Sequence, residues 1–196
     1  MSLFTLNNKS IYHHHIPKTG GSTIIQGLIN AGAIYSVGGK DPVTRVSRGH
    51  LNLEELERVY PDYKNHIQFT VIRHPWNRIV SEYVWKKGDP TFSNFNKWFK
   101  GRIGKFLRNP FLDDNHIRPQ VDFINSTIKI FTNDNLKDCE HFLCEYFDLK
   151  INFPRVQVSR SYELPDINIL NTENKKLFNE IYNKDIELYT SVKRNL

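Results

Sequence analysis

The sequence predicts an α/β fold, in which helices cover a mainly parallel central sheet as a three-layer sandwich. Two observations lead to this prediction. Apolar runs of strand length alternate with amphipathic helical segments, and no repeat, low-complexity tract or linker divides the chain. A chain of 196 residues, 39% of them hydrophobic, is long enough to bury one core. We therefore expect residues 1–196 to form a single domain.

The first predicted unit is a strand, a glycine-containing loop and a helix. Residues 10–16, SIYHHHI, alternate large apolar and polar side chains, and this strand pattern ends at Pro17. Apolar residues then recur at helical spacing over 22–31, and Gly32 follows as the expected C-terminal cap.

Further units follow the same alternation. Asn52 and Glu55 have the spacing of a capping box, which predicts a helix over 53–60. The run HIQFTVI over 66–72 predicts a buried strand, and Pro75 fits the first turn of the helix after it. The remaining predicted elements are a strand over 127–132 and helices over 136–147 and 172–192.

Composition restricts the partners and the compartment. The formal charge of +6 and the isoelectric point near 9.2 favour an anionic partner: a nucleotide, a sulfated or carboxylated sugar, or a nucleic acid. Cys139 and Cys144 point away from each other on a predicted helix, which indicates reduced thiols rather than a disulfide. No segment has the pattern of a membrane span or signal peptide, so we expect a cytoplasmic protein without stable membrane insertion.

The segment PKTGGST, residues 17–23, has the composition of a phosphate-binding loop. Gly20 and Gly21 let the backbone approach an anion closely. The N–H groups of residues 21–23 would point outward from a helix start, and Lys18 adds a positive charge. In a Walker A loop the lysine follows the glycines, whereas Lys18 precedes them, so the order disfavours a P-loop kinase or GTPase.

A second anion-binding pattern, FTVIRHPWNRIVSEY, includes the end of the strand over 66–72. Arg73 leaves that strand and Ser81 lies about two turns into the next helix, so the two side chains could grip one phosphate. Both patterns follow predicted strands at their carboxyl ends, where α/β sheets bind ligands.

The three histidines before the first loop do not predict a metal site. His13 and His15 share one face of a strand, His14 lies on the other, and no third ligand is implied locally. We expect these side chains to lie beside the sheet or a bound nucleotide.

Together these patterns resemble the sulfotransferases that use 3′-phosphoadenosine 5′-phosphosulfate, and among them the carbohydrate sulfotransferases. HIPKTGGSTI resembles the family's loop for the 5′-phosphosulfate, and FTVIRHPWNRIVSEY resembles its 3′-phosphate motif. Looser similarities occur in RGHLNLEELERVYP, DNHIRPQVDFI, VSRSYELP and IYNKDIELY, so the resemblance runs from about residue 11 to 190.

The resemblance implies a sulfotransferase fold related to that of the P-loop NTPases, and it implies this phosphosulfate as donor. Lys18 would act at the bridging oxygen of the phosphosulfate, and Arg73 and Ser81 would bind the 3′-phosphate. In-line sulfuryl transfer of this kind requires no metal. The residues implied for the 5′-phosphate are Thr19, Gly20, Gly21, Ser22 and Thr23.

An acceptor hydroxyl also needs a general base. His50, in the polar loop SRGHLNLEEL, is our candidate because histidine titrates near neutral pH. The resemblance supports this choice, since some relatives carry a catalytic histidine in the equivalent loop. His116 in DNHIRPQ competes for the role, and His116 and Arg118 are weaker candidates for acceptor binding.

Residues 86–108 combine seven basic side chains with interleaved aromatic residues and the single acid Asp89. A solvated basic face over an aromatic core is the simpler interpretation, and the alternative is an acceptor groove in which rings stack on an anionic sugar. We predict sulfuryl transfer to a carbohydrate hydroxyl. A nucleotide kinase is one alternative, which the position of Lys18 before the glycines disfavours. A non-catalytic polyanion- or nucleic-acid-binding protein is the other, but it leaves the paired phosphate patterns unexplained, and we expect no nucleic-acid partner.

Overall fold

The computed structural model describes residues 2–36, 38–154 and 163–194, and within them the chain forms five strands and six α-helices. The strands are β1 (Leu3–Leu6), β2 (Lys9–His14), β3 (Ile34–Ser36), β4 (Ile67–Ile72) and β5 (Lys129–Thr132). The helices are α1 (Gly21–Asn30), α2 (Leu53–Val59), α3 (Pro75–Lys87), α4 (Phe95–Arg108), α5 (Leu136–Phe147) and α6 (Thr172–Arg194). Most of the segment VSRSYELP falls on residues 155–162, outside the described residues.

The five strands form one mixed sheet in the order β3-β1-β2-β4-β5. β2 pairs in parallel with β4, and β4 pairs in parallel with β5. β1 runs antiparallel to both β2 and β3. The α/β class is thus confirmed, whereas the sheet is mixed rather than mainly parallel.

The antiparallel part of the sheet begins with a hairpin that the sequence analysis missed. Asn7 and Asn8 join β1 to β2 and have φ values of 50° and 62°. Two consecutive left-handed residues are typical of a type I′ turn, and asparagine tolerates this conformation better than most residues. The dipeptide NN was therefore a usable hairpin signal.

Helices pack against both faces of the sheet in the described residues. Ile11, Phe69 and Phe131 pack on one face in a cluster with residues of α1 and α5. On the opposite face Tyr12 packs against α2, and Ile72 packs against the end of α6. The finer assignment to three layers stays a prediction.

Predicted helix ends agree closely with the structure. The capping box is confirmed, because the Glu55 N–H donates to Asn52 Oδ1 at 2.9 Å and the Asn52 N–H donates to Glu55 Oε2 at 3.0 Å. Gly32 follows α1 with φ 91°, as expected of a residue that ends a helix. Both cysteines are free. No helix in the described ranges combines the length and the apolar character needed to cross a bilayer.

Helix α4 was not predicted, and it decides between the two interpretations of residues 86–108. Phe95, Trp98 and Phe99 are buried in the cluster that α3, α4 and α6 share, together with Phe92 just before the helix. Buried rings cannot stack on a sugar. The aromatic residues of 86–108 therefore form core, and the interpretation of a basic face over an aromatic core is the correct one.

Candidate active site

The loop between β2 and α1 has the backbone of an anion cradle. Lys18 and Gly20 have φ values of 70° and 103°, and Thr19 between them does not share this left-handed conformation. Alternation of this kind is typical of concave backbone segments that bind anions. A non-glycine residue in the left-handed region carries a cost of about 1–2 kcal/mol, so Lys18 is held there by its surroundings.

Close packing explains both glycines of the loop. A Cβ at Gly21 would overlap the imidazole ring of His15, and a Cβ at Gly20 would lie 2.8 Å from Asn133 Nδ2. Asn133 follows β5 and donates to the carbonyl of Thr19 at 2.9 Å. The loop is therefore enclosed by the ends of β2 and β5.

The structure refines which loop groups are free to bind a phosphate. The Thr19 hydroxyl is buried and donates to the Ile16 carbonyl at 2.8 Å, and the Thr23 N–H donates to the Gly20 carbonyl at 3.0 Å. Both donors are therefore already hydrogen-bonded to backbone carbonyls. Among the described residues the N–H groups of Gly21 and Ser22 have no partner, and Ser22 is exposed. The cradle thus offers these two N–H groups together with Lys18.

The Lys18 side chain extends over α3. Its Nζ lies 4.9 Å from the ring centroid of Trp85, within the range of a cation–π contact. Burial lowers the pKa of the Lys18 ammonium, and Arg73 and Lys86 lower it further while Glu82 acts in the opposite direction. A lysine with a lowered pKa releases a proton more readily than an exposed one.

The second predicted pattern lies directly beside the loop, as the sequence analysis expected. Arg73 Nη1 donates to the carbonyl of Lys18 at 3.3 Å. The backbone of Arg73 is held by Gln120, whose Oε1 accepts from the Arg73 N–H at 3.0 Å and whose Nε2 donates to the Arg73 carbonyl at 2.8 Å. Ser81 is 3% exposed, and its hydroxyl has no hydrogen-bond partner in the described part of the chain.

A fully buried arginine, Arg78, ties these segments together. Its Nε donates to the Pro17 carbonyl at 2.9 Å, just before the loop. Its two Nη atoms donate to the carbonyls of Arg118 at 2.7 Å, His116 at 2.9 Å and Asn115 at 3.4 Å. Burial lowers the pKa of this guanidinium. One side chain therefore fixes the phosphate loop relative to the segment that carries His116.

His50 belongs to a histidine–carboxylate pair. Its Nδ1 lies 2.7 Å from Asp114 Oδ2. Because an ionised carboxylate can only accept, Nδ1 carries the proton and Nε2 of the neutral ring keeps its lone pair. Burial alone would raise the pKa of the Asp114 carboxyl, but hydrogen bonds from His50 and from the Ser47 N–H hold it below its usual range. This arrangement suits a general base.

A second pair lies beside the first. His116 Nδ1 is 2.7 Å from Oε2 of the fully buried Glu82, and the rings of His50 and His116 are 5.2 Å apart. The other carboxylate oxygen of Glu82, Oε1, has no partner within the described residues. The structure thus brings both candidate bases to one place.

Strand β2, which carries His13 and His14, and the following His15 lead into the same site. His13 stacks on His15 at 5.3 Å, and His15 meets His50 at 4.9 Å, which confirms that His13 and His15 share a face. Burial lowers the pKa of His13 to about 3 and that of His15 well below its usual range. These rings are therefore neutral at pH 7. On the other face, His14 Nε2 donates to Gln68 Oε1 at 2.9 Å.

The backbone that presents Asp114 is strained. Asp113, Asp114 and Asn115 have φ values of 53°, 59° and 62°, which form three consecutive left-handed residues. Asn115 Nδ2 donates to Glu55 Oε2 at 2.6 Å and to the His50 carbonyl at 3.0 Å. Strain of this kind persists where the surroundings enforce it, and it is frequent at functional sites.

The guanidinium of Arg118 forms its hydrogen bonds within the protein. Its three nitrogen atoms donate to Asn115 Oδ1, Asp122 Oδ2 and the Pro110 carbonyl, each at 3.0 Å, and it is 9% exposed. These bonds argue against the predicted contact with the acceptor. Arg118 instead supports the strained segment that holds Asp114.

The site also contains a set of atoms that could coordinate a cation. One atom each of His50, Asp114 and His116 lie within 4.8 Å of one another. Both imidazoles already have a carboxylate on Nδ1, as metal-binding histidines commonly do. The expectation that the protein works without a metal stays a prediction.

Comparison with known proteins gives one match. A family model described as sulfotransferase family covers residues 1–190. The chain belongs to the sulfotransferase family. Neither the curated proteins nor the solved structures that were searched gave a match. The family resemblance is confirmed, and the carbohydrate branch stays a prediction.

Several residues of this candidate site were missed by the sequence analysis. Asp114 and Glu82 are the carboxylate partners of His50 and His116. The other missed residues are the buried Arg78, Gln120, which holds the backbone of Arg73, and the exposed Trp85. Two signals were available. Asp113 and Asp114 closely precede the candidate base His116 in the sequence DDNHIRPQ. Arg78 lies within the second phosphate pattern.

Proposed function

We propose that this chain transfers a sulfuryl group from 3′-phosphoadenosine 5′-phosphosulfate to a hydroxyl of a carbohydrate. The observation that carries the proposal is the contact between the two anion-binding patterns. Arg73 donates to the carbonyl of Lys18, so a donor with phosphates at both its 5′ and 3′ positions would meet both patterns at once. A histidine–carboxylate pair lies within the same site.

The donor would be held from two sides. The N–H groups of Gly21 and Ser22 and the start of α1 would bind the 5′-phosphate, since a helix N-terminus favours an anion. Arg73 and the Ser81 hydroxyl would bind the 3′-phosphate. This division supports the phosphoadenosine donor over ATP, which has no 3′-phosphate to occupy Arg73 and Ser81.

The transfer step follows from the positions of Lys18 and His50. The acceptor oxygen forms a bond to sulfur as the bond from sulfur to the bridging phosphate oxygen breaks, and the acceptor proton moves to His50 Nε2. Asp114 stabilises the resulting imidazolium, and Lys18 stabilises the negative charge on the departing phosphate. The products are a sulfate ester and adenosine 3′,5′-bisphosphate. The step requires no metal, and the cytoplasm is the compartment we propose.

A transfer assay with radiolabelled donor tests this function. The purified protein is incubated with the donor, with EDTA, and with a panel of neutral and acidic sugars, and labelled ester is counted. We expect His50→Ala to lower turnover by about 100-fold or more, because general bases contribute that much. His116→Ala is the matched comparison.

The outcomes of the assay separate the proposals. If His116→Ala loses turnover and His50→Ala does not, the base is His116. If EDTA abolishes transfer and added zinc restores it, the site acts as a metal centre. Donor cleavage with no sugar sulfated would contradict the carbohydrate acceptor.

A further inference from the structure

Three side chains of the candidate active site form a set of ligand atoms for a transition metal. One atom each of His50, Asp114 and His116 lie within 4.8 Å of one another. Imidazole nitrogen and carboxylate oxygen together suit Zn²⁺, whereas Mg²⁺ and Ca²⁺ prefer oxygen ligands alone. Two histidines and a carboxylate also form zinc sites that keep a fourth position open. The ligand types therefore indicate a divalent ion of the zinc kind.

A buried carboxylate with an unpaired oxygen lies against this set. Glu82 is fully buried, and its Oε2 lies 2.7 Å from His116 Nδ1. Its Oε1 has no hydrogen-bond partner within the described residues. A buried carboxylate that is only partly satisfied is costly. A cation bound to His116 would offset this cost, and the pair would have the carboxylate–histidine–metal arrangement that is common in zinc proteins.

The backbone that carries the two histidines is fixed, while the three ligand side chains keep some freedom. Asn115 Nδ2 donates to the His50 carbonyl at 3.0 Å. Arg78 Nη2 donates to the His116 carbonyl at 2.9 Å. The side chains of His50, Asp114 and His116 are 19%, 35% and 12% exposed, which leaves a path for an ion. Ligand atoms around a tetrahedral zinc ion lie about 3.3 Å apart, so small side-chain rotations bring the set to that spacing.

A metal ion at this place would remove the general base of the proposed reaction. A neutral imidazole carries a proton on one ring nitrogen and a lone pair on the other. Coordination through either nitrogen of His50 uses that lone pair, so the ring can no longer accept the proton of the acceptor hydroxyl. Asp114, which otherwise stabilises the imidazolium, becomes a ligand. The same side chains thus serve as a base without the ion and as a metal site with it.

We propose that His50, Asp114 and His116 form an inhibitory site for Zn²⁺, and that the ion blocks sulfuryl transfer by occupying the general base. The inhibition rests on the proposed function, whereas the binding of the ion does not. The contact between Arg73 and the Lys18 carbonyl involves none of the three ligands. Zinc should therefore lower turnover without lowering the affinity for adenosine 3′,5′-bisphosphate.

Cobalt binding tests the site independently of catalysis, because Co²⁺ in a tetrahedral zinc site absorbs visible light. The full chain is purified without a histidine tag, freed of metal with EDTA and titrated with Co²⁺, and calorimetry then measures the affinity for Zn²⁺. His116→Ala and Asp114→Asn each change one ligand. The matched control is His141→Ala, which removes an exposed histidine whose Nε2 lies 3.2 Å from Glu145 on α5.

We expect the parent to bind Co²⁺ with a tetrahedral spectrum and to release it to Zn²⁺. His116→Ala and Asp114→Asn should each weaken zinc binding by about 10-fold or more, because even the loss of an outer partner of a ligand costs that much. His141→Ala should bind as the parent does. Zinc should also raise the melting temperature of the parent, since it binds the folded state. The two ligand variants are independent, so either one that folds provides the test.

The transfer assay tests the inhibition. Zn²⁺ should lower the turnover of the parent, EDTA should restore it, and an equal concentration of Mg²⁺ should have no effect. The zinc concentration that halves turnover should rise by about 10-fold or more in His116→Ala, relative to the turnover of that variant without zinc. It should stay unchanged in His141→Ala.

Several results would overturn the proposal. Equal zinc affinity in all variants, or a thiolate-to-cobalt absorption band from Cys139 or Cys144, would place the ion elsewhere. Zinc binding through His116 without inhibition would show that the base stays free. Loss of transfer in EDTA and its return with zinc would make the ion catalytic rather than inhibitory. A protein that binds cobalt through His116 but transfers no sulfuryl group would refute the proposed function and retain the metal site.

Discussion

Replacing Arg78 by methionine is expected to destabilise the protein by about 3 kcal/mol. Arg78 is fully buried and donates to four backbone carbonyls, three of them at 2.7–2.9 Å and one at 3.4 Å. Methionine keeps an unbranched stem but lacks the guanidinium group and supplies no donor. The perturbation therefore removes the hydrogen bonds together with the volume of that group.

The magnitude follows from those bonds. Each buried carbonyl that loses its donor costs about 1–3 kcal/mol, which gives a gross loss of several kcal/mol for the three short bonds. Removing the buried guanidinium charge recovers part of this loss, because such a charge is expensive to desolvate. For a protein of this size, a net 3 kcal/mol corresponds to a melting temperature lower by about 6–12 °C.

Thermal unfolding by circular dichroism measures the effect. Arg78→Lys should be intermediate, since one ammonium cannot reach carbonyls on two separate segments. Arg108→Met, an exposed arginine of α4, is the matched control and should change stability by less than about 0.5 kcal/mol. A melting temperature for Arg78→Met within about 2 °C of the parent would refute the reasoning, because the carbonyls would then not depend on the guanidinium.

Three further substitutions test other contacts of the site. Asp114→Asn should lower kcat by about 10- to 100-fold in the transfer assay and leave bisphosphate affinity unchanged, because it removes the charge that stabilises protonated His50; an unchanged kcat would remove Asp114 from the mechanism. Gly21→Ala should destabilise by about 2 kcal/mol through overlap with His15, and His15→Ala should relieve that loss in the double variant. His13→Phe should make the stability less sensitive to acid. In the unfolded chain His13 binds a proton below about pH 6.5, whereas in the folded state its pKa is about 3 and it stays neutral. Between pH 7 and 5 the free energy of unfolding, measured with urea, should therefore fall by about 2 kcal/mol more in the parent than in the variant. Equal losses in both proteins would contradict burial of His13 as a neutral ring.

The sequence predicted the placement of the candidate-site residues best where it depends on local patterns. PKTGGST and the arginine–serine pattern each follow a strand directly, so their positions could be inferred from strand ends alone. The contact between Arg73 and the Lys18 carbonyl confirms that the two patterns meet. The capping box at Asn52 was equally local and equally accurate.

The missed features depend on contacts between distant segments. Asp114 lies 64 positions from His50, and no spacing rule connects them. Asp114 also has a left-handed backbone, which aspartate tolerates better than most residues but which no local pattern predicts for three residues in a row. Helix α4 was not predicted, although an aromatic core under a basic face was the simpler interpretation of residues 86–108, and Phe95 and Phe99 do face the core. Contacts between distant segments therefore determine the His50–Asp114 pair, the backbone of Asp114 and the buried face of α4.

Ligand-dependent melting tests the central claim most directly. The protein is heated alone and with adenosine 3′,5′-bisphosphate, with ATP and magnesium, or with a DNA oligonucleotide. At one hundred times its dissociation constant, a ligand specific for the folded state stabilises it by about 2.7 kcal/mol. We predict this stabilisation for the bisphosphate, and its loss in Arg73→Ala. Stabilisation by ATP with magnesium or by DNA, and none by the bisphosphate, would contradict the proposed donor site.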